Sequence, residues 1–86
     1  MHKVVIYTKE TCPYCTMAKN LLEQKGVVDV LEIRVDTNPE ELNEMIKKSG
    51  GRKTVPQIFI GSTHVGGFDD LSSMNRSGQL DTLLTK

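Results

Sequence analysis

The residues best suited to chemistry are Cys12 and Cys15, the only two cysteines of the chain, in the stretch "TCPYCTMAK" (Thr11–Lys19). Two thiols at this spacing can close and open a disulfide within one helical turn. Pro13 has φ fixed near the helical value and no N–H to lose, so it suits the first position of a helix. Its ring also keeps the preceding residue out of the helical region. Cys12 is therefore expected just ahead of a helix, with its sulfur able to face the free N–H groups of the first turn. Those amides carry partial positive charge and favour thiolate over thiol. Lys9 is close enough in sequence to add a full positive charge. The thiolate is the attacking species in disulfide exchange, so Cys12 reads as the nucleophile. Cys15, one turn further in and less exposed, reads as the resolving thiol.

Other uses of the pair fit less well. A structural disulfide would close a tiny loop, gain little entropy and be reduced in the cytosol. A structural zinc site needs four ligands, and beyond the two thiols the chain offers only His2 and His64. A Cys-x-x-Cys after a strand and opening a helix within a βαβ unit is a strong redox signal.

The flanking sequence supplies that unit. Val4–Tyr7 ("VVIY") is β-branched and aromatic without alternation, as in a strand buried on both faces. Met17/Leu21 and Ala18/Leu22 recur four apart and predict an apolar stripe on a helix that Gly26 ends. Val30–Val35 alternates and predicts a second strand. Asn38 is placed to cap a second helix, with Pro39 at its first position, Glu40 and Glu41 at the positive end of its dipole, and Leu42, Met45 and Ile46 as its apolar face. Val55–Ile60 reads as a third strand, and Gly61–Ser62 turn into a short fourth near His64–Val65. "GGFDDL" (Gly66–Leu71) leads into a last helix, and Leu80, Leu83 and Leu84 predict a final helical segment packed back on the sheet. The fold class is α/β, in the order β-α-β-α-β-β-α, with a four-stranded mixed sheet flanked by helices. Met17, Met45 and Met74 are expected to pack, as is Tyr7. His64 lies at a turn-to-strand edge and is not expected to take a role.

A chain of 86 residues holds one core, so residues 1–86 are read as a single domain. Basic and acidic residues balance at 11 each, which argues against nucleic-acid binding. The longest apolar runs are strand-sized, so no membrane span is expected, and "MHKVVIY" lacks the features of a secretory signal. A cytoplasmic location is expected.

"CPYC" after a strand, "TVPQIFI" (Thr54–Ile60) and "GGFDDL" (Gly66–Leu71), in this order over almost the whole chain, closely resemble a dithiol glutaredoxin of the small bacterial type. The resemblance implies a thioredoxin-like fold and a glutathione-dependent disulfide reductase, with glutathione as reducing co-substrate and no bound cofactor. It implies that Cys12 is the nucleophile, that Cys15 resolves, and that Val55–Pro56 is cis, although sequence alone does not give the isomer. It also implies a glutathione groove. Lys9 and Gln57 would hold the glycine carboxylate; Thr54, Val55 and Pro56 would line the wall, and Tyr14 would flank the sulfur. Backbone N–H groups of Phe68 and Asp69 would receive the γ-glutamyl carboxylate, and Asp70 would pair with the γ-glutamyl ammonium. Asp69 and Asp70 could equally be helix caps.

The departures are small. Phe68 stands where relatives often have Tyr or Cys, and "SGGRKTVP" carries an extra loop residue. Arg52 and Lys53 read as solvated loop charges. Implied partners are glutathione, glutathionylated proteins, protein disulfides and ribonucleotide reductase; a monomer is expected. Two alternatives stand beside this reading. One is a glutathione-ligated iron–sulfur carrier, which the Pro–Tyr pair between the cysteines disfavours. The other is a thioredoxin-type reductant, which usually has Gly–Pro there and lacks the "GGFDD" segment.

Overall fold

The computed structural model describes residues 3–85, so His2 lies outside the described residues. The elements run β1 (Val4–Thr8), α1 (Pro13–Gln24), β2 (Val30–Arg34), α2 (Pro39–Lys48), β3 (Gln57–Ile60), β4 (Thr63–Gly66), α3 (Phe68–Ser77) and α4 (Gln79–Thr85). They form a four-stranded sheet in the order β2-β1-β3-β4, with β1 parallel to β2 and antiparallel pairing elsewhere. The mixed α/β sheet is as the sequence predicts. The C-terminus differs in detail, because it carries two helices where the element order has one. Gly78, at φ 85°, breaks them apart. A side chain with a Cβ rarely adopts that conformation, so the chain turns there and Leu80 can reach the core.

Both sheet faces are covered, which is why β1 shows no alternation. Val4, Ile6, Ile58 and Ile60 face a cluster with Ala18 and Leu22 of α1, Leu71 of α3 and Leu80 of α4. Tyr7 faces the opposite layer with Met45 of α2, where Val5, Ile33 and Phe59 also pack. Met45 and Met74 pack as expected. Met17 does not: it is 45% exposed, because α1 turns Cys15, Ala18 and Leu22 inward and leaves Met17 beside that stripe. Asn38 precedes α2 in extended conformation but makes no side-chain cap; its carbonyl accepts from the Glu41 and Leu42 N–H groups instead. The first strand runs one residue longer than expected. The second ends one residue earlier, and the third begins only at Gln57, after the proline.

Strand register gathers the chemistry at one end. Tyr7 pairs with Gln57, so the loop after β1 and the loop before β3 are neighbours. Ile58 pairs with Gly66, so the start of α3 joins them. Three segments far apart in sequence, Lys9–Pro13, Thr54–Pro56 and Gly66–Asp70, are thereby brought together.

Candidate functional site

Cys12 is the residue before α1, in extended conformation (φ −127°, ψ 97°), with Pro13 opening the helix as its ring requires. The Cys15 N–H donates to Cys12 Sγ at 3.3 Å, so the sulfur takes the place of a helix-capping oxygen. Any negative charge on that sulfur faces the positive end of the helix. Cys15 is only 2% exposed and its sulfur is paired with that of Cys12, their Cα atoms 5.2 Å apart. The thiol pair is thus asymmetric, with one sulfur partly open and the other enclosed. Thr11, just before Cys12, has φ 55°, an uncommon left-handed conformation for a β-branched residue. Nothing in the sequence marks it.

The Val55–Pro56 bond is cis, and Val55 O lies 4.0 Å from Cys12 Sγ. Beside it is a groove of about 230 Å³ lined by Tyr14, Arg52, Thr54, Val55, Pro56 and the segment Gly67–Asp70. Tyr14 is 59% exposed and its ring stands 6.1 Å from that of Phe68, tilted by 33°. The two aromatic rings make one side of the groove mouth. The start of α3 lines the groove too, and there the first-turn amides of Phe68 and Asp69 have no intrahelical acceptor. Asp70 Oδ2 accepts from the Gly67 N–H at 2.9 Å and from Arg52 Nη1 at 3.3 Å. Asp70 is therefore a helix cap after all, but one carboxylate oxygen, Oδ1, is left over. Gly66, at φ 116°, cannot be replaced freely: a Cβ there would run into the Asp70 carboxylate and press on the Arg52 guanidinium.

Seven of the nine groove residues expected from sequence line this groove: Tyr14, Thr54, Val55, Pro56, Phe68, Asp69 and Asp70. Gln57 does not. It is fully buried, with Nε2 donating to Thr54 O at 3.1 Å and to Thr54 Oγ1 at 3.2 Å. By strand alternation Gln57 shares with Phe59 the face of β3 opposite Ile58 and Ile60, where its buried amide is committed to Thr54. Lys9 lies across the cysteine pair from the groove, in a second hollow of about 390 Å³ shared with Cys12, Cys15, Lys19, Glu32 and Arg34. Arg52, read from sequence as a solvated loop charge, instead lines the groove and meets Asp70; a loop residue ahead of the strand carries no periodic signal that could have shown this. No ion pair is found for Lys53 among the described residues.

The second hollow is braced by ion pairs. Arg34 holds Asp36 at 2.6 Å and reaches Glu10 at 3.5 Å, and the Glu10 N–H donates to Asp36. Arg34 is the main reason the Asp36 carboxyl sits far below the usual range. The buried Thr8 hydroxyl donates to Glu32 Oε2 at 2.7 Å, and Lys19 pairs with the same carboxylate at 3.2 Å. Thr8 first, then Lys19, holds the Glu32 carboxyl below its ordinary value. Ionised Glu32 therefore stabilises the fold above the normal carboxyl range, and that contribution fades as pH falls through the lowered value. Glu32→Gln is expected to lower the melting temperature at neutral pH, and the gap to the parent is expected to close as pH falls through the lowered carboxyl value. The carboxylate is over a third exposed, so the loss at neutral pH is at most about 1 kcal/mol. Thermal melts of both proteins from neutral pH into the acid range check this.

A family model described as Glutaredoxin matches residues 4–65. A curated glutaredoxin of Neisseria meningitidis is 57% identical over 84 residues, covering 98% of each chain. The solution structure of glutaredoxin from Brucella melitensis superposes with a TM-score of 0.83 at 52% identity, covering 98% of this chain and 89% of that one. The crystal structure of a buckwheat glutaredoxin–glutathione complex gives a TM-score of 0.86 at 31% identity, covering 98% of this chain and 77% of that one.

Proposed function

The chain belongs to the glutaredoxin family and is a glutathione-dependent thiol–disulfide oxidoreductase with a Cys12–Cys15 dithiol, and we propose that its groove from Tyr14 to Asp70 binds the glutathione half of the substrate. One observation carries this reading. The Cys12 sulfur receives a helix N–H and lies beside the Val55 carbonyl at the mouth of that groove.

In the proposed reaction the Cys12 thiolate attacks the glutathione sulfur of a protein–glutathione disulfide. A new Cys12–glutathione disulfide forms, the old bond breaks, and the protein leaves as thiolate. A second glutathione thiolate then attacks the glutathione sulfur, releasing glutathione disulfide and regenerating the Cys12 thiolate. With a protein disulfide, Cys12 first forms a mixed disulfide with the substrate. Cys15 then attacks Cys12 Sγ, frees the second substrate thiol, and leaves Cys12–Cys15 oxidised. Two glutathione molecules restore the dithiol and leave as glutathione disulfide.

The γ-glutamyl head is read against the start of α3. Its carboxylate meets the amides of Phe68 and Asp69, and its ammonium meets Asp70 Oδ1. The middle of the tripeptide runs along Thr54, Val55 and Pro56, with Tyr14 and Phe68 flanking the sulfur. Lys9 approaches the glycine carboxylate from the other side of Cys12; Gln57 supports the wall from beneath. A reducing glutathione pool is what this cycle requires, so a cytoplasmic location belongs to the same proposal. So do a monomeric enzyme and ribonucleotide reductase as a protein client.

The test is a glutathionylated peptide reduced with glutathione, glutathione reductase and NADPH. Turnover in this system is expected; electrons accepted from thioredoxin reductase alone would overturn the reading. Within it, Asp70→Asn is expected to raise KM for the glutathionylated peptide about tenfold, from loss of a charged hydrogen bond, with a smaller effect on kcat. Asparagine keeps an oxygen for the Gly67 N–H, so the helix start should persist. Steady-state kinetics with the coupled assay check it.

A further inference from the structure

His64, on β4, has Nε2 2.7 Å from Gln57 Oε1. The other end of the Gln57 amide is already committed to Thr54. A Thr54 carbonyl accepts only, so the Gln57 atom facing it is the NH₂ and the atom facing His64 is the oxygen. An amide oxygen cannot donate, so His64 Nε2 must carry a proton. The ring is held in place by its stack on Phe59, with centroids 4.8 Å apart and planes within 26°, across the β3–β4 pairing of the same two residues. A line of three side chains therefore runs from the far strand, through a fully buried amide, into the groove wall beside Cys12.

From this line we infer that His64 is a positioning residue for the glutathione groove: it fixes the Gln57 amide, which holds Thr54 and with it the Val55 carbonyl that faces Cys12. The inference rests on the reading of Thr54 and Val55 as the wall against which glutathione lies. Without a donor at position 64, Gln57 Oε1 would be a buried acceptor with no partner. Such a group is relieved by turning the amide or moving its neighbours. Turning it would set oxygen against the Thr54 carbonyl and push the wall out of place. Cys12 owes its activation to α1, which this line does not touch. The effect therefore falls on binding of the glutathione portion.

Protonation gives a second distinguishing feature. Arg52 and Asp70 act on the ring from the groove side, and Lys3 and Lys48 line the hollow next to it. Burial, with the Arg52 charge second, favours the neutral ring. Nε2 nevertheless keeps its proton in both the imidazolium and the neutral Nε2–H form. The contact thus survives titration of His64, whereas direct binding of an anion by the imidazolium would follow it.

Two variants test the inference. His64→Phe keeps a stacked ring but removes the donor; His64→Gln restores an N–H. For the glutathionylated peptide, His64→Phe is expected to raise KM about tenfold while kcat stays within about twofold, and His64→Gln to recover most of the loss. Nitrogen-15 NMR of the parent at neutral pH should show the Nε2–H form of His64, and the parent KM should not follow its titration. A parental KM in His64→Phe, an Nδ1–H ring, or a KM that tracks the titration would overturn the inference. Asp70→Asn, assayed alongside, separates the layers. If it raises KM while His64→Phe does not, the line from His64 is wrong and the groove stands. If neither variant raises KM, the groove reading falls and the positioning role with it.

Discussion

Cys12→Ser is expected to abolish reduction of both glutathionylated peptides and protein disulfides, by at least about 10³-fold in kcat/KM, because the attacking group itself is lost. A serine hydroxyl stays protonated at neutral pH and is a far weaker nucleophile toward sulfur than a thiolate. The fold should not suffer. Cys12 occupies the position before α1 and its Sγ accepts the Cys15 N–H. Serine is among the preferred residues for that place, since its oxygen accepts the same bond. Loss of activity with unchanged circular dichroism and melting temperature would therefore assign the chemistry to the sulfur. Retained turnover with glutathione would mean that Cys15 attacks, which its burial argues against.

Cys15→Ser is expected to divide the two activities. Reduction of a glutathionylated peptide should persist within about threefold, because the attack by Cys12 and the release by a second glutathione do not need Cys15. Reduction of a protein disulfide at low glutathione should fall by about 10²-fold or more, since no second thiol is at hand to expel the substrate. The bond that activates Cys12 comes from the backbone N–H of residue 15, which serine retains. A mixed disulfide between Cys12 and the substrate protein should accumulate and be visible by intact-mass measurement. Equal loss of both activities would show that Cys15 is needed for the fold or for the first attack.

Much of this arrangement was legible in the chain, for a physical reason. Pro13 and the cysteine spacing are local rules, and local rules place a sulfur at the start of a helix without any knowledge of tertiary contacts. The unalternating Val4–Tyr7 likewise announced a strand covered on both faces. What remained hidden was decided by packing between distant segments. Gln57 looked like a ligand for a carboxylate because it follows the Val–Pro pair, yet it is fully buried and its amide is bonded to Thr54. Arg52 meets Asp70 only because the β3–β4 pairing brings Gly66 beside Ile58. Met17 fitted an apolar stripe by spacing, but the helix is rotated so that Cys15, Ala18 and Leu22 take the core. His64 carried no sequence signal; its partner is seven residues away on the neighbouring strand.

The most direct measurement is the rate of alkylation of Cys12 against pH in the reduced Cys15→Ser protein, where one thiol remains. A helix amide on the sulfur predicts that the rate rises to its plateau well below about pH 8.5, the free-cysteine value. A midpoint at or above that value would contradict the account, because the groove would then surround an ordinary thiol.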